Sequence, residues 1–161
     1  AICSIYQRQS NLVFDRAVRR GRERLTRPVL VARDDGIKPL LRAIRDQGCV
    51  FFNLPDQDHG RKDSAFVPFF GVPAATLLAP SRIARMLDMT VQPVVAEMLP
   101  GGGWRVRFLP PLAGWPSADP QADTATLNAW LESEVRRLPA QYLWVHKRFK
   151  TRPEGEPSLY A

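Results

Sequence analysis

Apolar positions along this chain change period several times, and each change marks an element. Residues 2–6 form a short apolar run that reads as a strand. Over 12–25 the spacing becomes helical: Phe14, Ala17, Val18, Gly21 and Leu25 fall on one stripe. Arg16, Arg19 and Arg20 face away from that stripe, and Arg22 and Arg24 lie on its two borders. Residues 29–31 read as another short strand. Asp34 or Asp35 can cap a helix over 37–47, which Gly48 ends. Residues 49–54 are continuously apolar, as in an interior strand covered on both faces. After a polar stretch over 55–64, residues 66–70 read as strand, 74–88 as helix and 90–97 as a second buried strand. Gly101-Gly102-Gly103 makes a turn, and Trp104, Val106 and Phe108 then alternate with Arg105 and Arg107, the pattern of a strand with one wet face near a sheet edge. A proline-containing loop over 110–120 leads to a helix capped by Asp123. Its Leu127, Trp130, Leu131, Val135 and Leu138 form an apolar stripe that Pro139 stops.

This order of elements predicts an α/β fold with a mostly parallel sheet flanked by helices. No repeat, low-complexity tract or internal boundary appears, so residues 1–161 read as one domain. Residues 64–81 carry no charge, yet Pro68, Gly71, Pro73 and Pro80 break them into strand, turn and helix rather than a membrane span. Ala1 lies inside an apolar run with no leader before it, which reads as a chain cut within a domain.

Composition is that of an ordinary globular protein, with 45% hydrophobic and 24% charged residues. Charge changes the picture more. The formal net charge is +7, which favours nucleic acid, an anionic membrane surface, an acidic protein or a phosphorylated ligand. It is concentrated in two groups: Arg16, Arg19, Arg20, Arg22, Arg24 and Arg27, then Lys147, Arg148, Lys150 and Arg152. Cys3 and Cys49 sit in strand-like runs without CxxC spacing and read as buried thiols of a reduced compartment. A metal site is not expected.

Only two histidines, His59 and His146, could act as bases, and no GxSxG elbow, Walker loop or HExxH is present. The best candidate site is the polar stretch after the run 49–54: Asp56, Asp58, His59, Gly60 and Arg61. Open α/β sheets bind ligands beyond the carboxyl ends of their strands. An ordinary polar loop, with Asp56 capping a turn, explains the same residues equally well.

Pro55-Asp56-Gln57-Asp58-His59-Gly60, then Phe66-Val67-Pro68-Phe69-Phe70-Gly71 with Ala74-Ala75-Thr76, resembles the middle of the lipid A biosynthesis lauroyl/myristoyl acyltransferases of Gram-negative bacteria. The ending Gln141-Tyr142-Leu143-Trp144-Val145-His146-Lys147-Arg148-Phe149-Lys150-Thr151-Arg152-Pro153 is similar to that family's C-terminal signature. Ser4-Ile5-Tyr6, Asp15 and Arg22-Glu23-Arg24 resemble the segment that follows its catalytic block. One departure is Gln7-Arg8, where the family usually has Arg-Pro after the tyrosine.

The resemblance implies a glycerolipid-acyltransferase-like fold, incomplete here at its N-terminus. It implies transfer of a fatty acyl chain from acyl carrier protein to a hydroxyl of a lipid A precursor, at the cytoplasmic face of the inner membrane and without a cofactor. The family's catalytic mark is His-x-x-x-x-Asp or Glu, the histidine serving as general base. Here Ser64 stands five residues after His59, with Asp63 one place too early, and Thr151 stands five after His146. The resemblance therefore puts no catalytic residue in this chain; the base, its acid and an anchoring helix are expected upstream. It carries over Arg22, with Arg24 beside it, and Asp56, Asp58 and Gly60 as substrate-binding residues. The chain alone is expected to be inactive. Two other readings are a basic nucleic-acid-binding module and a non-catalytic interaction domain. No known nucleic-acid motif appears, and the aromatics lie on apolar stripes rather than among basic residues, so nucleic acid is not an expected partner.

Overall fold

The computed structural model describes residues 1–160, and the chain divides into two compact units, Ala1–Leu54 and the residues from Pro55 onward. In the first unit, β1 (Ile2–Tyr6) is the central strand of a three-stranded parallel sheet between β2 (Val29–Ala32) and β3 (Val50–Phe52). Cys3 pairs with Val29 on one side and Phe51 on the other. The crossover helices are α1 (Leu12–Glu23) and α2 (Lys38–Gln47). Helix α2 ends as its sequence predicts, with Gly48 at φ 60° and ψ 31° donating its N–H to Ala43. Leu40 and Ala43 point inward from it, against a core that includes Cys3, Val31 and Ala32.

Two expectations fail in this unit. The run 49–54 is an edge strand, not an interior one: Val50 and Phe52 are 67% and 53% exposed. Continuous apolarity records what a strand can pack against, and the partner that covers it is a tertiary matter. The apolar stripe of α1 also faces outward, and no residue of that helix is buried.

Cys3 and Cys49 are free, buried thiols. Burial, reinforced by Cys49, pushes the Cys3 thiol up to about 11. Neither thiol should react with an alkylating reagent at pH 8 until denaturant is added, after which thiol titration should count both. Because the folded state keeps a proton the unfolded chain loses, this unit should weaken as pH climbs from about 8.5 towards about 11. Urea melts at pH 7 and pH 10 check the sign.

The second unit is built on antiparallel hairpins, so the sheet is not mostly parallel throughout. Strands β4 (Ser64–Phe69) and β5 (Val72–Leu77) pair in one register from Ser64 opposite Leu77 to Phe69 opposite Val72. Phe70 and Gly71, at φ 51° and 76°, close the hairpin in two residues, both of positive φ as a type I′ turn requires. That turn overrides the helix expected from residue 74. Ala74, Ala75 and Thr76 lie in β5, and the helix, α3 (Ala79–Met86), starts only at Ala79 with Pro80 in its first turn.

Strands β6 (Val94–Met98) and β7 (Trp104–Phe108) form a second hairpin through the triple glycine. The expected buried strand over 90–97 is therefore a short strand, alternating between half-buried and exposed residues, that starts at Val94. The alternation predicted for β7 does not carry through to burial, since every residue of the strand except Arg107 is exposed. Trp104, Val106 and Phe108 are exposed, whereas Arg107 turns inward to bond Glu134, 2.5 Å away.

Helix α4 (Pro120–Arg137) packs on β4 and α3. Its Leu127 joins Ala84 and Trp115 in one core cluster, and its Val135 joins Phe69 and Ala74 in another. Asp119 rather than Asp123 is its N-cap, accepting from Gln121 and Ala122. Asp123 is buried one turn further in, where it takes the Ser81 hydroxyl and the Ser117 N–H. No helix among the described residues is long and apolar enough to cross a membrane.

Candidate functional site

In the first unit the arginine group is displayed along α1. Asn11 caps the helix, its Oδ1 accepting from the N–H groups of Val13 and Phe14 at 2.9 and 3.1 Å. Arg22, in the last turn, holds its guanidinium 5.8 Å from the centre of the Tyr6 ring. Arg19 is exposed, as expected, and lies 6.0 Å over the same ring and 3.6 Å from Glu23. Cations settle on aromatic faces. Two guanidinium groups thus share one aromatic ring. Arg24 follows the helix as its exposed C-cap residue.

Arg8, at the position where the resemblance departs from its pattern, reaches Asp34 Oδ2 and Asp35 Oδ1, each at 2.8 Å. Those two acids therefore do not cap α2, whose N-cap is Ile37 without a side-chain bond. The pairs are exposed and contribute little to stability.

In the second unit, the polar stretch expected to hold a ligand is bound to the chain's own tail. Asp58 is 2% exposed. Its Oδ1 accepts from the Gly60 N–H and the Thr151 hydroxyl, both at 2.9 Å, and its Oδ2 accepts from the Thr151 N–H at 2.8 Å. Gly60 stands at φ 89°, a turn that other residues adopt only with strain. Arg61 donates to the Arg152 carbonyl and lies over Phe66. Asp56 remains half-buried, and its charge acts on Tyr142 and Arg148.

Arg148 is the residue that sequence reasoning misplaced most. It was grouped with Lys147, Lys150 and Arg152 as a surface charge, yet it is 2% exposed. Its guanidinium donates to the Ala75 carbonyl at 2.8 Å and to the Thr76 hydroxyl at 2.6 Å, and lies 5.5 Å over Phe69. Asn128 reaches the same hydroxyl at 3.3 Å and the Pro68 carbonyl at 3.0 Å. Burial pushes the Arg148 pKa down, while Tyr142, Asp58 and Asp56 oppose that shift. Arg152 also turns inward, to the Pro73 carbonyl and to Glu156. Nothing in basic composition distinguishes a buried arginine from a solvated one; the available signal was the ending quoted above, in which Arg148 and Thr151 stand among aromatic residues.

Tyr142 has a buried hydroxyl without a hydrogen-bond partner. Burial, then the Asp56 carboxylate, pushes it up to about 12, so the phenol stays neutral at any physiological pH. Nε2 of His146 is likewise buried and unpartnered. The substrate-binding candidates thus fall in two sets, Arg22 and Arg24 on α1, and Asp56, Asp58 and Gly60 in the loop that the tail ties down.

The sequence pattern described as bacterial lipid A biosynthesis acyltransferase matches residues 1–151. The chain is 36% identical over 158 residues to the lipid A biosynthesis lauroyltransferase of Escherichia coli, covering 97% of this chain and 51% of that protein. It is 36% identical over 157 residues to the palmitoleoyltransferase of the same organism and 35% identical over 161 to its myristoyltransferase. This chain belongs to the bacterial lipid A biosynthesis acyltransferase family. It spans about half the length of the curated relatives it matches.

Proposed function

We propose that this chain is the C-terminal portion of an acyltransferase that moves a fatty acyl chain from acyl carrier protein to a hydroxyl of a lipid A precursor. The observation that carries this reading is the family match over residues 1–151. In this reading the fold is glycerolipid-acyltransferase-like, the general base and its acid come from residues outside the 161, and the chain alone is inactive. No cofactor beyond the acyl donor is required. The enzyme works at the cytoplasmic face of the inner membrane, an anionic surface that suits a basic protein.

Arg22 binds negative charge in this scheme, either a phosphate of the lipid headgroup or the oxyanion that develops from the thioester. Its place over Tyr6, at the border of the exposed stripe, leaves the guanidinium edge free to donate while the stem packs. Arg24 supplies a second cation at the end of the same helix. In the second unit, Asp56 faces the acceptor, and Gly60 permits the turn that brings backbone close to it.

In the enzyme that carries these residues together with the catalytic histidine, Arg22→Ala should lower turnover by about tenfold or more. Arg16→Ala is the control, because Arg16 is exposed on the same helix and Arg19 shares the Tyr6 ring. It should change little. Turnover measured beside thermal melts separates the cases; equal rates in the two variants would remove Arg22 from the mechanism.

A further inference from the structure

Helix α1 is an amphipathic helix whose apolar arc contributes no buried residue. At 100° per residue, Ala17, Gly21, Phe14 and Val18 occupy one arc, with Arg24, then Val13 and Arg20, along one border and Arg22 on the other. The helix rests on its own unit by a different side: the Asp15 carboxylate accepts the Gln9 N–H at 2.9 Å, and Arg19 and Arg22 cover Tyr6. Val18, nearest that side, is half-buried. Val13 and Phe14 are 76% and 57% exposed, and Leu25, just past the helix, is 85% exposed.

We infer that this arc is the surface by which the chain lies on an anionic lipid bilayer, with Val13, Phe14 and Leu25 in the acyl boundary and Arg20 and Arg24 on headgroup phosphates. The inference deepens the membrane-surface reading above and rests on it. Charge selects the occupant. Six arginines stand against two acids between residues 12 and 27, and the arginines nearest the arc edge it rather than oppose it. That is the arrangement of helices that sit in the interface plane, sinking their apolar side about 5–10 Å below the headgroups. Long arginine stems follow the apolar face down while their heads stay at phosphate level. Nucleic acid would reward the arginines but leave Val13 and Phe14 in water. The helix is also preformed, since Asn11 fixes its first turn and Tyr6 its last, so binding does not have to order it.

The test uses the 161-residue chain with vesicles of phosphatidylethanolamine and phosphatidylglycerol, and with phosphatidylcholine vesicles for comparison. Partitioning should favour the anionic vesicles and fall with salt. Arg20→Ala with Arg24→Ala should lower it about tenfold or more, and Val13→Ser with Phe14→Ser should lower it on both vesicle types, all with unchanged melting. An environment-sensitive label on a cysteine at residue 14 should shift to the blue on binding, and one at residue 23, on the opposite side of the helix, should not. Salt-sensitive binding that ignores both double variants and moves neither label would overturn the role of α1 while leaving the membrane-surface reading intact. No preference for anionic vesicles at all would overturn both. Loss on Phe14→Ser of binding to an acidic protein, with vesicle binding unaffected, would assign the arc to a protein partner and overturn the inference.

Discussion

Replacing Arg148 by alanine should destabilise the second unit by about 3–5 kcal/mol, the largest loss expected from any single side chain described here. Two buried hydrogen bonds disappear, leaving the Ala75 carbonyl without that donor, and a void opens over Phe69. Asp58, already buried, loses the nearby cation that compensates it. For a unit of this size the melting temperature should fall by about 15 °C or more. Arg148→Lys keeps the charge but not the planar fork that reaches Ala75 and Thr76 together, so it should fall between the wild type and alanine. Thermal melts of the three proteins check the order. A lysine variant as stable as the wild type would mean that charge alone holds this site, and an alanine variant as stable would deny the tail its anchoring role.

Asp58→Ala should cost about 3–4 kcal/mol, because three donors from Gly60 and Thr151 lose a buried acceptor at once. Asp58→Asn preserves shape and one acceptor but presents an amide to one of those donors, and about half the loss is expected. The pair of variants also decides what the carboxylate is for. Family resemblance makes Asp58 a substrate-binding acid, whereas the hydrogen bonds make it the tether between the loop after β3 and the tail. If the tether is its work, activity and stability should fall together, and Thr151→Val should reproduce part of the loss. An Asn variant that melts like the wild type but has lost activity would return Asp58 to the substrate.

Several features were determined by local sequence, because each depends on only a few neighbouring residues. Gly48 ends α2 in the left-handed conformation that L side chains avoid. The triple glycine turns β6 into β7, and Pro139 lies just past the end of α4. The stripe of α4 delivers Leu127 and Val135 to the core as its period predicts. The family itself was legible in the ending from Gln141 and in the block around Asp56.

What the tertiary structure alone decided is which side of each element finds a partner. Periodicity states that α1 and β7 have an apolar side, but not that this side is covered. In β7 the one residue that turns inward is Arg107, because Glu134 waits there. At Ala74-Ala75-Thr76 helix propensity lost to the Phe70-Gly71 turn, since a two-residue hairpin commits the chain to pairing backwards before a helix can begin. Composition counted Arg148 among the surface cations, whereas the carbonyl of Ala75 and the hydroxyl of Thr76, more than seventy residues earlier, supply the hydrogen bonds that let a guanidinium leave water. Local sequence sets the options of each segment; desolvation is settled only where distant donors and acceptors meet.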